Sequence, residues 1–189
     1  MNFNILITSN GVVGTNFKDN FIKGKSVIVV DNGTYGTANY NDRDKNVDKF
    51  YEYGAVKVDL LTVDNNNISS ILNYDICYVM GGSIANLVTF VQKVTFKDTL
   101  IQFLKKGIYI GESAGSIILD ADVEWYFNLK RGTKPKYDVI FESYEGLGFI
   151  NRHIYPHYDK EKLEGVNKII NYNGEIETLN DGEYIELYL

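Results

Sequence analysis

With 189 residues, 44% of them hydrophobic and 23% charged, the chain has the size and balance of one globular domain spanning 1–189, and extended disorder is excluded. Its formal net charge of −6 comes from acidic and basic residues interspersed along the sequence; without a basic stripe for a phosphate backbone, no nucleic-acid partner is expected. No apolar run reaches bilayer length, and Met1-Asn2-Phe3-Asn4 lacks the basic and apolar regions of a signal peptide, so a cytoplasmic location with no membrane partner is expected.

In chain order, Asn4-Ile5-Leu6-Ile7-Thr8-Ser9 and Ser26-Val27-Ile28-Val29-Val30 are short, β-branched and almost wholly apolar, as parallel strands covered on both faces should be. Further strands are predicted at 55–60, 75–80 and 108–110. The lone Cys77 lies in the fourth of these five runs, where it reads as a small core hydrophobe; one cysteine forms no internal disulfide, which fits a reducing compartment. After Met80 the strand meets Gly81-Gly82-Ser83, a glycine-rich turn. Residues 96–106 carry apolar side chains near helical spacing, followed by two lysines and the stop residue Gly107. Strands alternating with helices predict an α/β fold, a mostly parallel sheet with helices on both faces, whose ligand site lies beyond the carboxyl ends of the strands.

The most informative stretch is Gly111-Glu112-Ser113-Ala114-Gly115, between the apolar Ile108-Tyr109-Ile110 and Ser116-Ile117-Ile118-Leu119. A Gly-x-Ser-x-Gly turn from strand to helix is a nucleophile elbow, which thrusts the serine oxygen out at the strand's carboxyl end. The Ala114 N–H, and an N–H of the Gly81-Gly82 turn, stand where an oxyanion would need donors. A serine hydroxyl needs a base, and the chain offers only His153 and His157. His157, after Pro156 at the end of a strand-like run, is the better placed. The two histidines four residues apart also suit a metal pair, but no third His or further Cys completes a zinc site, so no metal is expected.

For the acid that orients the imidazole, Asp120, Asp122 and Glu124 follow the elbow. Glu124 is favoured, because a strand there would aim it into the cleft; Asp122 and a dyad using Asn128 remain open. Residues 128–146 are polar and irregular, a lid or a surface excursion. The tail reads as a β-hairpin region, with turns at Asn173-Gly174 and Asp181-Gly182 between strands at 168–172, 175–179 and 184–189.

The run Tyr78-Val79-Met80-Gly81-Gly82-Ser83-Ile84-Ala85-Asn86-Leu87, then Tyr109-Ile110-Gly111-Glu112-Ser113-Ala114-Gly115, then Gly146-Leu147-Gly148-Phe149-Ile150 leading to Pro156-His157-Tyr158, resembles the dipeptidase E and cyanophycinase family of serine peptidases. Ser9-Asn10 at the start and Leu179-Asn180-Asp181-Gly182 near the end extend the resemblance. It implies a flavodoxin-like three-layer sandwich related to class I glutamine amidotransferases, with serine in place of their elbow cysteine. By motif it implies Ser113 as nucleophile, His157 as base, and Gly82 with Ala114 as oxyanion donors. It further implies cleavage of small peptides through an acyl-enzyme, with no cofactor and with a preference for an N-terminal aspartate. An ungapped match from the elbow puts Asn128 at the family's triad aspartate. A substrate carboxylate requires a cation, and of Lys130, Arg131, Lys134 and Arg152 the last is nearest His157 in sequence and is expected to face the pocket. Glu112, beside the nucleophile, could meet a substrate ammonium group. A homodimer stays open.

Two other readings compete. An esterase of the α/β-hydrolase kind shares the elbow, although only 76 residues follow Ser113. A non-catalytic peptide- or small-molecule-binding member of the same fold would explain the uncertain acid. Nucleotide binding is disfavoured, since no phosphate-cradling glycine motif is present.

Overall fold

The computed structural model describes residues 4–17, 20–34, 40–130, 141, 143–161, 163–172 and 174–188. Five parallel strands appear where apolar runs predict them: β1 (Ile5–Thr8), β2 (Ser26–Val30), β3 (Lys57–Leu61), β4 (Ile76–Val79) and β5 (Ile108–Glu112). A sixth, β8 (Tyr184–Leu187), joins antiparallel to β1, giving the order β3-β2-β4-β5-β1-β8. This is a mainly parallel six-stranded sheet flanked by helices, an α/β fold of flavodoxin-like kind.

The pleat explains the layers. Leu6, Val27, Val29, Ile76, Tyr78, Ile108 and Ile110 pack on one face with Val12 of helix α1 (Gly11–Gly14) and Phe50 of α2 (Tyr40–Glu52). Their strand neighbours Ile5, Ile7, Ile28, Val30, Cys77, Val79 and Tyr109 face the other way, onto α3 (Ile84–Lys93), α4 (Phe96–Phe103), α5 (Ala114–Ile117) and α6 (Glu124–Lys130). Successive side chains alternate faces in a strand, so a sheet buried on both sides requires apolar residues at every position. Cys77 is wholly buried among them, and burial pushes its thiol pKa up. Helix α4 ends before Gly107, whose N–H donates to the Phe103 carbonyl at 2.8 Å. Among the described residues no helix is long and apolar enough to cross a membrane.

The tail departs from the hairpins that its turn signals predict. Residues 168–170, expected to open a strand, end helix α7 (Leu163–Ile170). Strand β7 (Ile176–Leu179) pairs not with β8 but in parallel with β6 (His153–Pro156), in a separate two-stranded sheet. The Asp181-Gly182 turn therefore links two sheets rather than two arms of a hairpin, and Asn173 lies outside the described residues. The expected excursion over 128–146 begins inside α6, and its residues 131–140 and 142 also lie outside them.

Candidate active site

Five chain segments converge beyond the carboxyl ends of the strands. At the end of β5, Ser113 adopts φ 49°, ψ −109°, a left-handed backbone that non-glycine residues occupy only under constraint, at a cost of about 1–3 kcal/mol. The constraint is visible around it. The Ser113 N–H donates to the Thr8 carbonyl at 3.1 Å, and the Ser113 carbonyl accepts from the N–H groups of Ser116 and Ile117. Beneath the turn the Ser116 hydroxyl lies 2.9 Å from the Thr8 carbonyl and 2.8 Å from that of Gly111. The motif's glycines have a steric reason: a Cβ on Gly111 would sit 2.7 Å from the Gly115 carbonyl oxygen, and one on Gly115 would sit 2.3 Å from that of Val79. The strand-to-helix elbow expected from the sequence is present.

His157 follows β6, also with positive φ, 54°. Its Nε2 lies 3.0 Å from Ser113 Oγ, and its Nδ1 lies 2.7 Å from Asp181 Oδ1. Register places this acid: Pro156 pairs with Leu179 in parallel, so the chains leaving β6 and β7 emerge side by side, one carrying His157 and the other Asp181. Ser9, just past β1 and fully buried, ties the two together. Its hydroxyl accepts the His157 N–H at 2.8 Å and donates to Asp181 Oδ1 at 2.9 Å. Asn10 Oδ1 accepts the Gly182 N–H at 3.0 Å and fixes the same turn. The side chains of His157 and Asp181 remain 48% and 59% exposed, so their pairing is screened by water and orients the ring more than it adds stability.

The Gly81-Gly82 turn abuts the elbow: a Cβ on Gly81 would fall 3.0 Å from Ser113 Cβ. Gly82 has φ 112°, and a Cβ there would meet the Gly33 carbonyl oxygen at 2.6 Å, so only glycine fits. No acceptor among the described residues takes the N–H of Gly82 or of Ala114, which leaves both available to a ligand oxygen beside Ser113.

Three sequence expectations are corrected. Glu124 begins a helix rather than a strand, is exposed, and makes no contact with His157; its N–H donates to Asp122 Oδ1 at 2.8 Å, so Asp122 serves the start of α6. Asn128 sits within α6, also exposed. The place beside His157 Nδ1 belongs to Asp181, which follows both histidines in sequence rather than lying between them and Ser113. Arg152 precedes β6 while His157 follows it, about 15 Å apart along an extended chain, and Arg152 pairs with Glu177 at 2.8 Å instead of facing the site. The other histidine is engaged elsewhere: His153 Nδ1 lies 2.5 Å from the buried Asp120, whose Oδ2 also accepts the Trp125 indole N–H at 3.0 Å, and the Trp125 ring stacks on the imidazole. Lys130 donates to the Tyr155 hydroxyl at 2.6 Å; Arg131 and Lys134 lie outside the described residues. Beside His157 opens a cavity of ≈ 450 Å³ lined by Tyr158, Asp159, Lys160, Glu161 and Asn180.

A model of peptidase family S51 matches residues 20–188. Among solved structures, the chain is similar to a candidate peptidase E protein from Listeria monocytogenes EGD-e, at 20% identity and TM-score 0.78, over 98% of this chain and 94% of that one. It is also similar to a peptidase from an acI-B1 actinobacterium, at 15% identity and TM-score 0.68, over 97% and 82% of the two chains. No curated protein compared with the chain matches it.

Proposed function

The chain belongs to peptidase family S51 and is a serine-type peptidase, and from this premise we propose that Ser113 is its nucleophile, His157 its general base and Asp181 the acid that orients the imidazole. The observation that carries the reading is the line of contacts at the elbow, Ser113 Oγ to His157 Nε2 at 3.0 Å and His157 Nδ1 to Asp181 at 2.7 Å.

In this reading Ser113 Oγ attacks the scissile carbonyl as His157 Nε2 takes its proton, and the Asp181 carboxylate stabilises the imidazolium that forms. The N–H groups of Gly82 and Ala114 hold the oxyanion of the tetrahedral intermediate, where preorganised donors act without reorganising. His157 then gives its proton to the leaving amine, and an acyl-enzyme remains. A water, deprotonated by the same ring, attacks the ester carbonyl and restores Ser113.

The substrates proposed are small peptides with an acidic N-terminal residue. The preference rests on the resemblance of the motifs, and Lys160, a cation lining the cavity beside His157, takes the place expected of Arg152. Comparing kcat/KM for Asp-Leu and Asn-Leu dipeptides tests this directly. A higher value for Asp-Leu is expected, and equal values would remove the acidic preference while leaving the nucleophile assignment standing.

A further inference from the structure

Glu112, the residue before the nucleophile, turns its carboxyl away from solvent into a small polar cluster. Its Oε2 accepts the Gly81 N–H at 3.1 Å and lies 2.9 Å from the Tyr78 hydroxyl. That hydroxyl also lies 2.8 Å from Oδ1 of Asn46 on α2. The protons of this cluster can be assigned by elimination. A backbone carbonyl only accepts, so the Asn46 amide must present its NH₂ to the Asp42 carbonyl, 2.9 Å away, and its oxygen to Tyr78. The Tyr78 hydroxyl has one proton, and Asn46, 2% exposed, requires it. The contact between Tyr78 and Glu112 then needs a second proton, and only the carboxyl can hold it.

Resting on the assignment of Ser113 as nucleophile, we propose that Glu112 is a positioning residue which works as a neutral carboxylic acid, donating to Tyr78 and bracing the Gly81-Gly82 turn through the Gly81 N–H, so that the Gly82 N–H faces the oxyanion. The same carboxyl oxygen accepts from one neighbour and donates to the other, which an ionised carboxylate cannot do. Packing enforces the arrangement: the carboxyl carbon lies so close under Gly11 that a Cβ there would meet it at 2.9 Å and the Tyr78 oxygen at 2.2 Å.

Its surroundings favour the neutral form. Although Glu112 as a residue is half-buried, its carboxyl end is enclosed, and desolvation is the largest influence, raising its pKa above the ordinary carboxyl value. The Gly81 N–H and Tyr78 act the other way, as does His157 across the site, while Asp42 on α2 adds to the rise. Neutrality also has a catalytic consequence. A carboxylate beneath the turn would repel the negative charge that develops on the substrate oxygen, whereas a carboxylic acid holds the donor without opposing it.

Infrared difference spectra of the full chain, wild type minus Glu112→Gln across a pH series, read the protonation directly. A protonated-carboxyl carbonyl band is expected at neutral pH, fading on the alkaline side. In parallel, the rate of Ser113 phosphonylation by a fluorophosphonate is measured in wild type, Glu112→Gln and Glu112→Ala. Wild-type rates should decline over the same pH span in which the band fades, and Glu112→Gln should show no such decline. Gln keeps the acceptor for Gly81 but cannot donate from the same atom, so its neutral-pH rate should stay within about ten-fold of wild type, with Glu112→Ala slower than both. Absence of the band at neutral pH overturns the proposal, as does a Gln variant no faster than Ala. A wild-type protein that shows the band but resists labelling would overturn the role in positioning along with the nucleophile assignment; labelling without the band would overturn the neutral acid alone.

Discussion

At Ser113 and His157 the backbone of the candidate site is itself unusual. Both are non-glycine residues with positive φ, and strain of this kind persists where surrounding structure over-determines it. Asp181 is held less by burial than by its neighbours: the Ser9 hydroxyl and the His157 ring both meet the same carboxylate oxygen. Arg152 shows the contrast. Its pair with Glu177 is about half exposed on both sides, a geometry worth about 0–1 kcal/mol, and it lies at the far end of β6. Arg152→Ala is therefore expected to leave KM for an Asp-Leu dipeptide within about two-fold of wild type and to alter stability by no more than this pair's small contribution. A large rise in KM would return Arg152 to the substrate site.

At the scale of elements, the glycine turn after β4 and the Asp120 cluster make opposite predictions. Gly82→Ala places a Cβ against the Gly33 carbonyl and demands φ 112° of a chiral residue, so kcat should fall by about 10²-fold or more as the donor moves, with KM much less affected. Asp120→Ala removes the partner of both Trp125 and His153 in a buried setting; denaturant unfolding should show a loss of about 2–4 kcal/mol, with the Ser113–His157 contact untouched. β1, β2, β4 and most of β5 were legible because strands buried on both faces leave little room for polar residues, whereas β3, at the sheet's edge, carries Lys57 and Asp59. The elbow was legible because its glycines answer close backbone contacts that any such turn must make. The end of the chain was not. An Asp-Gly turn signals a reversal, but which strands it joins depends on pairings with β1 and β6, more than a hundred residues away for β1. Only a strand would aim Glu124 into the cleft, yet residues 124–130 bury Trp125, Phe127 and Leu129 by forming a helix. The acid beside His157 comes 24 residues after it in sequence, and only the parallel register of β6 and β7 brings the two together.

For the molecule as a whole, the candidate site is a junction between two sheets. The main sheet contributes Ser113, the Gly81-Gly82 turn and Ser9; the small one contributes His157 and Asp181. One consequence concerns global stability. Glu112 has its pKa raised in the folded state relative to the ordinary 4.5, so the folded chain binds its proton more tightly than the unfolded chain. The stability this contributes is full below that ordinary value and is lost as pH rises through the raised one. The Tm of wild type relative to Glu112→Gln should accordingly fall with rising pH over that window; a difference constant in pH would mean that Glu112 titrates alike in both states.

The relay from Ser113 through His157 to Asp181 is tested most directly by fluorophosphonate labelling, with the modified residue identified by mass spectrometry in wild type, Ser113→Ala, Asp181→Asn and Glu124→Gln. A single adduct on Ser113 is expected, with none in Ser113→Ala, a rate lowered by about 10²-fold or more in Asp181→Asn, and an unchanged rate in Glu124→Gln. An adduct on another residue, or a Glu124 variant slowed while the Asp181 variant keeps its rate, would contradict it.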